Sequence, residues 1–306
     1  MTLVQLANFI RIAELQSLSK AAAVIRIAQP ALSRQLRHLE TELGTALLLR
    51  HARGVSLTSA GEAFLARARR VLAEADGARD AVNALAANPT GRVVLGVPTS
   101  LATVLLPALA AVLREKYPKL RPRLVDGFSA VLHARTIAGE LDLAALYDDR
   151  AVGPLATSPL LDEDLVLVGP SDVLIPPGPS VRVMAQSPLI LPARPNRLRL
   201  IVDAGLSAEI LHEADIVEVD SLPAIIAMVS QGMGFTVLPQ SSVASELAAG
   251  RLQTWPLAPK LTRTLLLVRP VDRQPSAAVT AVEFEVRALV RDLGPKVGWR
   301  PLGTLG

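Results

Sequence analysis

The 306-residue chain is long enough for two or three domains with at least one large core, and its 50% hydrophobic and 20% charged composition is that of a globular rather than a disordered protein. It has no cysteine, which excludes a disulfide scaffold, a thiolate metal site and a cysteine nucleophile and fits a reducing, cytoplasmic setting. The net charge of +4 is unevenly placed: residues 1–70 carry ten basic side chains against four acidic ones, which is +6 and leaves −2 for the remainder, so a polyanionic partner is expected for the head alone.

The opening MTLVQLANFIRIAEL lacks a basic start followed by an unbroken apolar run, so no secretory signal is expected. Leu3, Leu6, Ile10 and Ala13 recur at helical spacing and predict a first amphipathic helix. Ser19 is the expected N-cap of a second helix over Lys20 to Ile27, where Ala21, Ala22 and Ala23 permit close helix approach. Pro30 suits the first turn of a third helix that runs to a stop at Gly44. On that helix Leu32, Leu36, Leu39 and Leu43 form one narrow apolar stripe, while Pro30, Arg34 and Arg37 occupy the opposite face with Gln29 and Ser33 at its flank. A major-groove recognition helix needs such a small, polar and basic N-terminal face. Periodicity alone favours an ordinary solvated face.

Leu47 to Leu49 and Val55 to Leu57 flank Arg50, His51, Ala52, Arg53 and Gly54, the pattern of a strand-turn-strand wing or a plain surface hairpin. With Arg53 at its tip, a wing reaches the sugar-phosphate backbone or minor groove. The segment SLSKAAAVIRIAQPALSRQLRHLETELG (17–44), followed by Leu47-Leu-Leu-Arg50, Arg53-Gly-Val55 and Leu57-Thr-Ser-Ala-Gly61, resembles the N-terminal winged helix-turn-helix of LysR-type transcriptional regulators. The resemblance implies double-stranded promoter DNA as partner, a helix-turn-helix over 18–37 in a domain of residues 1–58, and contacts from Gln29, Pro30, Ser33, Arg34, Arg37 and Arg53. Two positions depart from the usual pattern. Ala28 stands where many members place a capping Ser or Thr, and Val24 where a polar residue is common.

Thr58 is a good N-cap for a helix to about Ala87, ended by Asn88-Pro89-Thr90-Gly91. Phe64, Ala68, Val71, Ala75, Ala78, Val82 and Leu85 alternate in steps of four and three, a heptad seam that predicts self-association. The resemblance assigns 59–88 to a linker helix that pairs protomers into a homodimer, acting as a dimer or as a homotetramer. Paired recognition helices expect inverted-repeat half-sites about one helical turn (~10 bp) apart.

Beyond Gly91, short β-rich runs alternate with helices: Arg92 to Val97, Arg121 to Val125, Leu141 to Tyr147, Asp164 to Gly169, Pro188 to Leu191, Ile216 to Val219, Phe235 to Leu238 and Thr264 to Val268. This predicts a parallel or mixed α/β sheet whose strand ends and helix N-termini collect ligands, with anions favoured. The uncharged stretches Val93–Leu113 and Ser221–Ser245 are broken by Gly and Pro and are read as buried strand and helix, with no membrane partner expected. Gly139-Glu-Leu-Asp-Leu-Ala144, Glu163-Asp-Leu-Val-Leu-Val168 and Ser230-Gln-Gly-Met-Gly-Phe-Thr-Val-Leu-Pro239 resemble the family's effector domain, two α/β subdomains like those of periplasmic binding proteins. The resemblance implies an effector-binding domain over 89–306, with subdomain I at 89–161 and 264–306 and subdomain II at 162–263. Its cleft candidates are Thr99, Ser100, Thr103, Phe128, Tyr147, Pro192 and Ser221; a cap, turn or core role is as open for each. Ser129-Ala-Val-Leu132, Leu191-Pro192 and Ile201-Val-Asp203 resemble the subgroup of nitrogen assimilation regulators. Asp172 to Ser180 is Pro-rich and reads as a surface loop.

The expected fold class is therefore α+β and multi-domain: a winged helix-turn-helix, a dimerisation linker helix and a two-subdomain α/β sensor of a small-molecule co-inducer, for which an anion is one candidate. RNA polymerase joins the partners if the protein activates. Catalysis is not expected, since His38, His51, His133 and His212 have no metal-ligand spacing, no phosphate loop or nucleophile elbow is present, and Gly232-Met-Gly234 reads as a turn before a strand. No cofactor or metal is implied. A secreted solute-binding protein is the rival for the C-terminal part, and a non-specific DNA-binding protein is the rival for the head.

Overall fold

The computed structural model describes residues 1–51, 54–84, 89–147, 153–173, 188–206, 215–272 and 274–302. Thr2 accepts the Gln5 amide at 3.2 Å while the Gln5 side chain accepts the Thr2 amide at 2.8 Å, a capping box that starts helix α1, Leu3–Leu15. Its buried face is Leu6, Phe9 and Ile12 rather than the expected Leu3-Leu6-Ile10-Ala13 row, and Leu3 is exposed. Leu6, Phe9 and Ile12 are also at helical spacing, and the packing of Phe9 edge-on to Phe64 turns this row inward. Helix α2, Leu18–Ile25, is capped by Ser17, which accepts from Lys20 N at 3.3 Å, so the expected cap Ser19 lies inside the helix. Ala21 and Ala22 are buried against its neighbours and Ala23 is exposed. Helix α3, Gln29–Leu43, starts at Ala28 with no side-chain cap, as the departure at that position predicts, and ends at Gly44 with φ 69°. Leu32, Leu36 and Leu39 form its buried stripe; Leu43, in the last turn, is exposed instead.

Strands β1, Leu48–His51, and β2, Gly54–Leu57, pair antiparallel with His51 opposite Gly54, which makes the wing. Ala52 and Arg53 lie outside the described residues. Thr58 caps α4, Ser59–Ala84, through its Oγ1 and Gly61 N at 2.9 Å. Gly61 lies against β1, where a Cβ would stand 2.1 Å from the Leu47 carbonyl oxygen. The first part of the heptad row is already occupied within the chain: Phe64 packs edge-on to Phe9 with ring centroids 5.2 Å apart, and Ala68 is buried. Val71 is the first exposed member of that row, and the later side chains, Ala78, Val82 and Leu85, lie outside the described residues.

The rest of the chain is built on a mixed sheet in the order β11 (Trp299–Pro301), β6 (Leu155–Pro170), β10 (Leu252–Pro270), β5 (Leu143–Leu146), β3 (Gly91–Pro98) and β4 (Leu120–Gly127), with β9 (Thr236–Pro239) also paired to β6. Strands β3 (Gly91–Pro98), β4 (Leu120–Gly127) and β5 (Leu143–Leu146) are parallel. Helices α5, Thr99–Lys116, and α6, Ser129–Ile137, connect them on opposite faces. Leu101, Leu105, Leu109 and Leu113 sit one turn apart on α5 and are 0–1% exposed, each contributing on the order of 2 kcal/mol of apolar burial. Strand β6, Leu155–Pro170, continues into the smaller parallel pair β7 (Leu189–Leu191) and β8 (Ile216–Glu218), with helices α7 (Arg197–Gly205) and α8 (Leu222–Ser230) beside them. Strand β9, Thr236–Pro239, follows the turn at Gly232 to Gly234 and leads through the short helix α9, Ala244–Ala248, into β10, Leu252–Pro270. Helix α10, Ala277–Val297, and strand β11, Trp299–Pro301, return to the first core.

Strands β6 and β10 are far longer than the runs 164–169 and 264–268 read from sequence, because prolines at 159, 256 and 259 and partial exposure break their apolar pattern. They run antiparallel through both halves of the domain. Leu160, Leu161, Leu265 and Leu267 belong to one core, and Leu165, Leu167, Leu257 and Leu261 to a second. The cores part at Asp162-Glu163-Asp164 opposite Thr262-Arg263-Thr264. Among the described residues, no helix is long and apolar enough to cross a membrane.

Candidate functional site

Gln29, Pro30, Arg34 and Arg37 all stand exposed on α3, on the side opposite the Leu32-Leu36-Leu39 stripe. Ser33 is half-buried and accepts a hydrogen bond from Arg50 Nη2 at 3.0 Å, which brings a wing guanidinium to the edge of the same face. Sequence reading places Arg50 in the wing without marking it as a contact; its position just before the wing tip is the signal that could have found it. Asn8 on α1 donates to the Gln35 side chain at 2.6 Å and fixes α3 from behind. The surface so held has donors from arginine and glutamine and one small hydroxyl, the set that reads guanine, adenine and phosphate in a major groove.

The second site is a cleft of about 480 Å³ between the two cores. Thr99, Ser100, Phe128, Tyr147, Pro192 and Ser221 all line it. Thr103 does not. It is exposed on α5 one turn beyond Thr99, and the helix carries it about 6 Å away from the cleft mouth. Four helices among the described residues present N-termini to this space: α5, α6, α8 and α7, the last capped by Asn196, which accepts from Leu198 N at 2.9 Å. Ser221 caps α8 by accepting from Ala224 N at 3.4 Å, whereas α5 after Pro98 and α6 after Phe128 have no side-chain cap. Their first-turn amides are thus left for another acceptor. Phe128 and Val131 on one side and Leu222 and Ile225 on the other make the walls largely apolar.

The floor is a buried polar cluster at the strand crossing. Arg263 lies 5% exposed with its Nη2 2.6 Å from Glu163 Oε1, its Nε donating to the same oxygen at 2.8 Å and its Nη2 to Ser100 Oγ at 3.0 Å. The Tyr147 hydroxyl also donates to Glu163, and Ser241 Oγ donates to the other carboxylate oxygen at 3.1 Å. The Arg263 guanidinium stacks 3.7 Å above the Tyr147 ring. Burial raises the Tyr147 phenol well above its ordinary value, so it stays a donor. Burial opposes the Arg263 charge, but Tyr147 and Glu163 outweigh it and hold the guanidinium protonated. Sequence reading missed Glu163 and Arg263 as site residues; Glu163 stands between Asp162 and Asp164, Arg263 between two threonines, and only the pairing of strands a hundred residues apart joins them. The other arginines of the cleft are also engaged: Arg194 donates to Asp203 at 2.7 Å, and Arg197 has a partner. Burial would raise the Asp203 carboxyl, but Arg199 and Arg194 hold it below the ordinary range.

A basic winged helix-turn-helix, joined by a long helix to a two-lobed domain with a cleft, defines a DNA-binding regulator with a sensor domain. The model of the bacterial regulatory helix-turn-helix protein, lysR family, matches residues 3–62, and that of the LysR substrate binding domain matches residues 86–289. The nitrogen assimilation regulatory protein nac of Escherichia coli (strain K12) is 35% identical over 286 residues, 91% of this chain and 92% of its own. A full-length OxyR point variant from Pseudomonas aeruginosa superposes with a TM-score of 0.77 at 27% identity over 95% of each chain. Full-length CbnR complexed with its target DNA has the same fold, with a TM-score of 0.60 at 22% identity over 95% of this chain and 99% of its own. The chain belongs to the LysR family, as a LysR-type DNA-binding transcriptional regulator with an effector-binding domain.

Proposed function

We propose that two or four protomers pair through α4, place α3 of each head in successive major grooves of an interrupted inverted repeat, and change the spacing of the heads when a small molecule fills the cleft. The single observation that carries this reading is that one chain holds both the exposed Gln29-Pro30-Arg34-Arg37 face and a cleft whose floor is two crossing strands. Arg53 completes the DNA contacts from the wing tip. Residues 89–161 with 264–306 act as one unit and 162–263 as the other, bending where β6 and β10 leave one core for the next.

The effector class follows from the walls. The cleft's guanidinium groups are already engaged, while the first turns of α5 and α6 have no side-chain cap and the sides are apolar. A small carboxylate with an apolar body fits: its charge sits on the amides and its body between Phe128 and Ile225. Activation through RNA polymerase belongs to this reading only for an effector that remodels the promoter complex.

The test is a footprint of the purified full chain on the DNA upstream of its own gene, at near-physiological salt with excess competitor. The reading expects an inverted repeat whose protected boundaries move when the cognate small carboxylate is added. Protection that follows total DNA concentration regardless of sequence supports the non-specific rival instead.

A further inference from the structure

A second cavity, of about 520 Å³, opens where the DNA-binding head meets the sensor domain. Glu14 and Arg11 on α1 and Arg69 on α4 form one wall, and Arg92 on β3, Arg123 on β4 and Arg269 on β10 form the other. Ser276, the N-cap of α10, whose Oγ accepts from Val279 N at 3.2 Å, also faces it. Its carboxylates are already spent. Glu14 pairs with Arg11 at 3.0 Å and Arg69 at 3.8 Å, and Glu140 pairs with Arg69 at 2.8 Å and Arg135 at 3.0 Å. The remaining acid, Asp142, accepts the Val94 amide at 2.8 Å and has a further partner.

The guanidinium groups of Arg92, Arg123 and Arg269 are left over: none has a hydrogen bond or ion pair among the described residues. Val94 stands opposite Arg123 in the parallel β3–β4 ladder, and Arg92 lies two residues before Val94, so Arg92 and Arg123 share one face of the sheet. Three uncompensated guanidinium groups around one concavity repel one another, and a bound anion reverses the sign of that energy. Guanidinium forks match the paired oxygens of phosphoryl groups, and a helix N-terminus adds to the same field.

We propose that this junction is a second ligand site, distinct from the cleft, for a small phosphoryl-bearing polyanion. Because its walls come from α1 and α4 on one side and from the sheet on the other, an occupant ties the head to the sensor domain. Occupancy therefore changes DNA affinity, and DNA changes the anion's affinity by the same factor. The inference does not depend on what the cleft binds.

Calorimetric titration of inorganic pyrophosphate into the full-length protein at near-physiological salt tests it. Saturable binding of one pyrophosphate per chain is expected, weakened at least ~tenfold in Arg92→Ala/Arg269→Ala and unchanged in Arg114→Ala, whose exposed side chain lies outside the cavity. Absence of saturable binding, equal affinity in the double variant, or an equal loss in Arg114→Ala overturns the proposal. Melting curves exclude a folding artefact: pyrophosphate should raise the melting temperature of the wild type and leave the double variant unmoved. Without ligand the double variant should melt no lower than wild type, because a repulsion has been removed. A lower melting temperature there assigns the arginines to structure and refutes the site.

Discussion

Arg263 and Glu163 face each other directly in β10 and β6, 2.6 Å apart and almost wholly buried, where the two cores of the sensor domain separate. The pair sits beneath the cleft and touches Tyr147 and Ser100, both cleft-lining residues, so the strand crossing and the effector site share their electrostatics.

Removing one partner leaves an uncompensated charge in the crossing. Arg263→Leu and Glu163→Leu should each destabilise the protein by about 3–5 kcal/mol. The double variant should cost clearly less than the sum of the two, with the excess measuring their coupling. Urea denaturation of the four proteins gives the cycle; additive losses contradict a direct pair.

The other face of the same crossing predicts the acid limb of stability. Arg300 holds Asp164 with two 2.7 Å bonds, joined by Lys260 at 2.8 Å, and keeps its carboxyl well below the ordinary carboxylate range. A depressed folded-state value contributes stability above the unfolded value near ~4 and loses it as pH falls toward the folded one. Asp164→Asn should therefore cost about 1 kcal/mol at neutral pH, since the group is partly exposed, and the gap should narrow steadily below about pH 4. A gap that is constant with pH excludes this carboxylate as the source.

Gly61 is where the linker helix starts against the wing. Gly61→Ala puts a methyl 2.1 Å from the Leu47 carbonyl oxygen, a backbone atom that cannot rotate away. The expected loss is about 1–3 kcal/mol, with the transition of the head separating from that of the sensor domain in a calorimetric scan.

Along α4, Phe64 and Ala68 are consumed inside the head, so under the proposed pairing through α4 the first exposed side chain of the row that a second copy could meet is Val71. Val71→Asp should leave the melting temperature of the head nearly unchanged and weaken self-association at least ~tenfold by sedimentation. An unaltered oligomer places the interface elsewhere.

How much of this was legible in sequence varies with the range of the interaction. The Leu32-Leu36-Leu39 stripe, the uncapped Ala28 and the Thr58 cap were readable because each depends on residues within a turn or two. The α1 face was misplaced because two rows, Leu3-Leu6-Ile10-Ala13 and Leu6-Phe9-Ile12, fit helical spacing, and the contact of Phe9 with Phe64 that favours the second lies far along the chain. Strands β6 and β10 were found only in part because their prolines interrupt a local pattern that pairing across the sheet restores. The cleft candidates came from the family resemblance, with a cap, turn or core role as open for each; all but Thr103 line the cleft, which opens at strand ends and helix starts. Glu163 and Arg263 were not legible, because their meaning lies in a partner a hundred positions away.

Selection of duplex DNA from a random pool by the full-length protein, at near-physiological salt, tests the central claim most directly. An interrupted inverted repeat with half-sites about one helical turn (~10 bp) apart should emerge. Arg34→Ala should lose about 1–3 kcal/mol on that repeat, and much less on unrelated duplex. Failure of any sequence to enrich, or an equal loss on both DNAs, would contradict base recognition by α3.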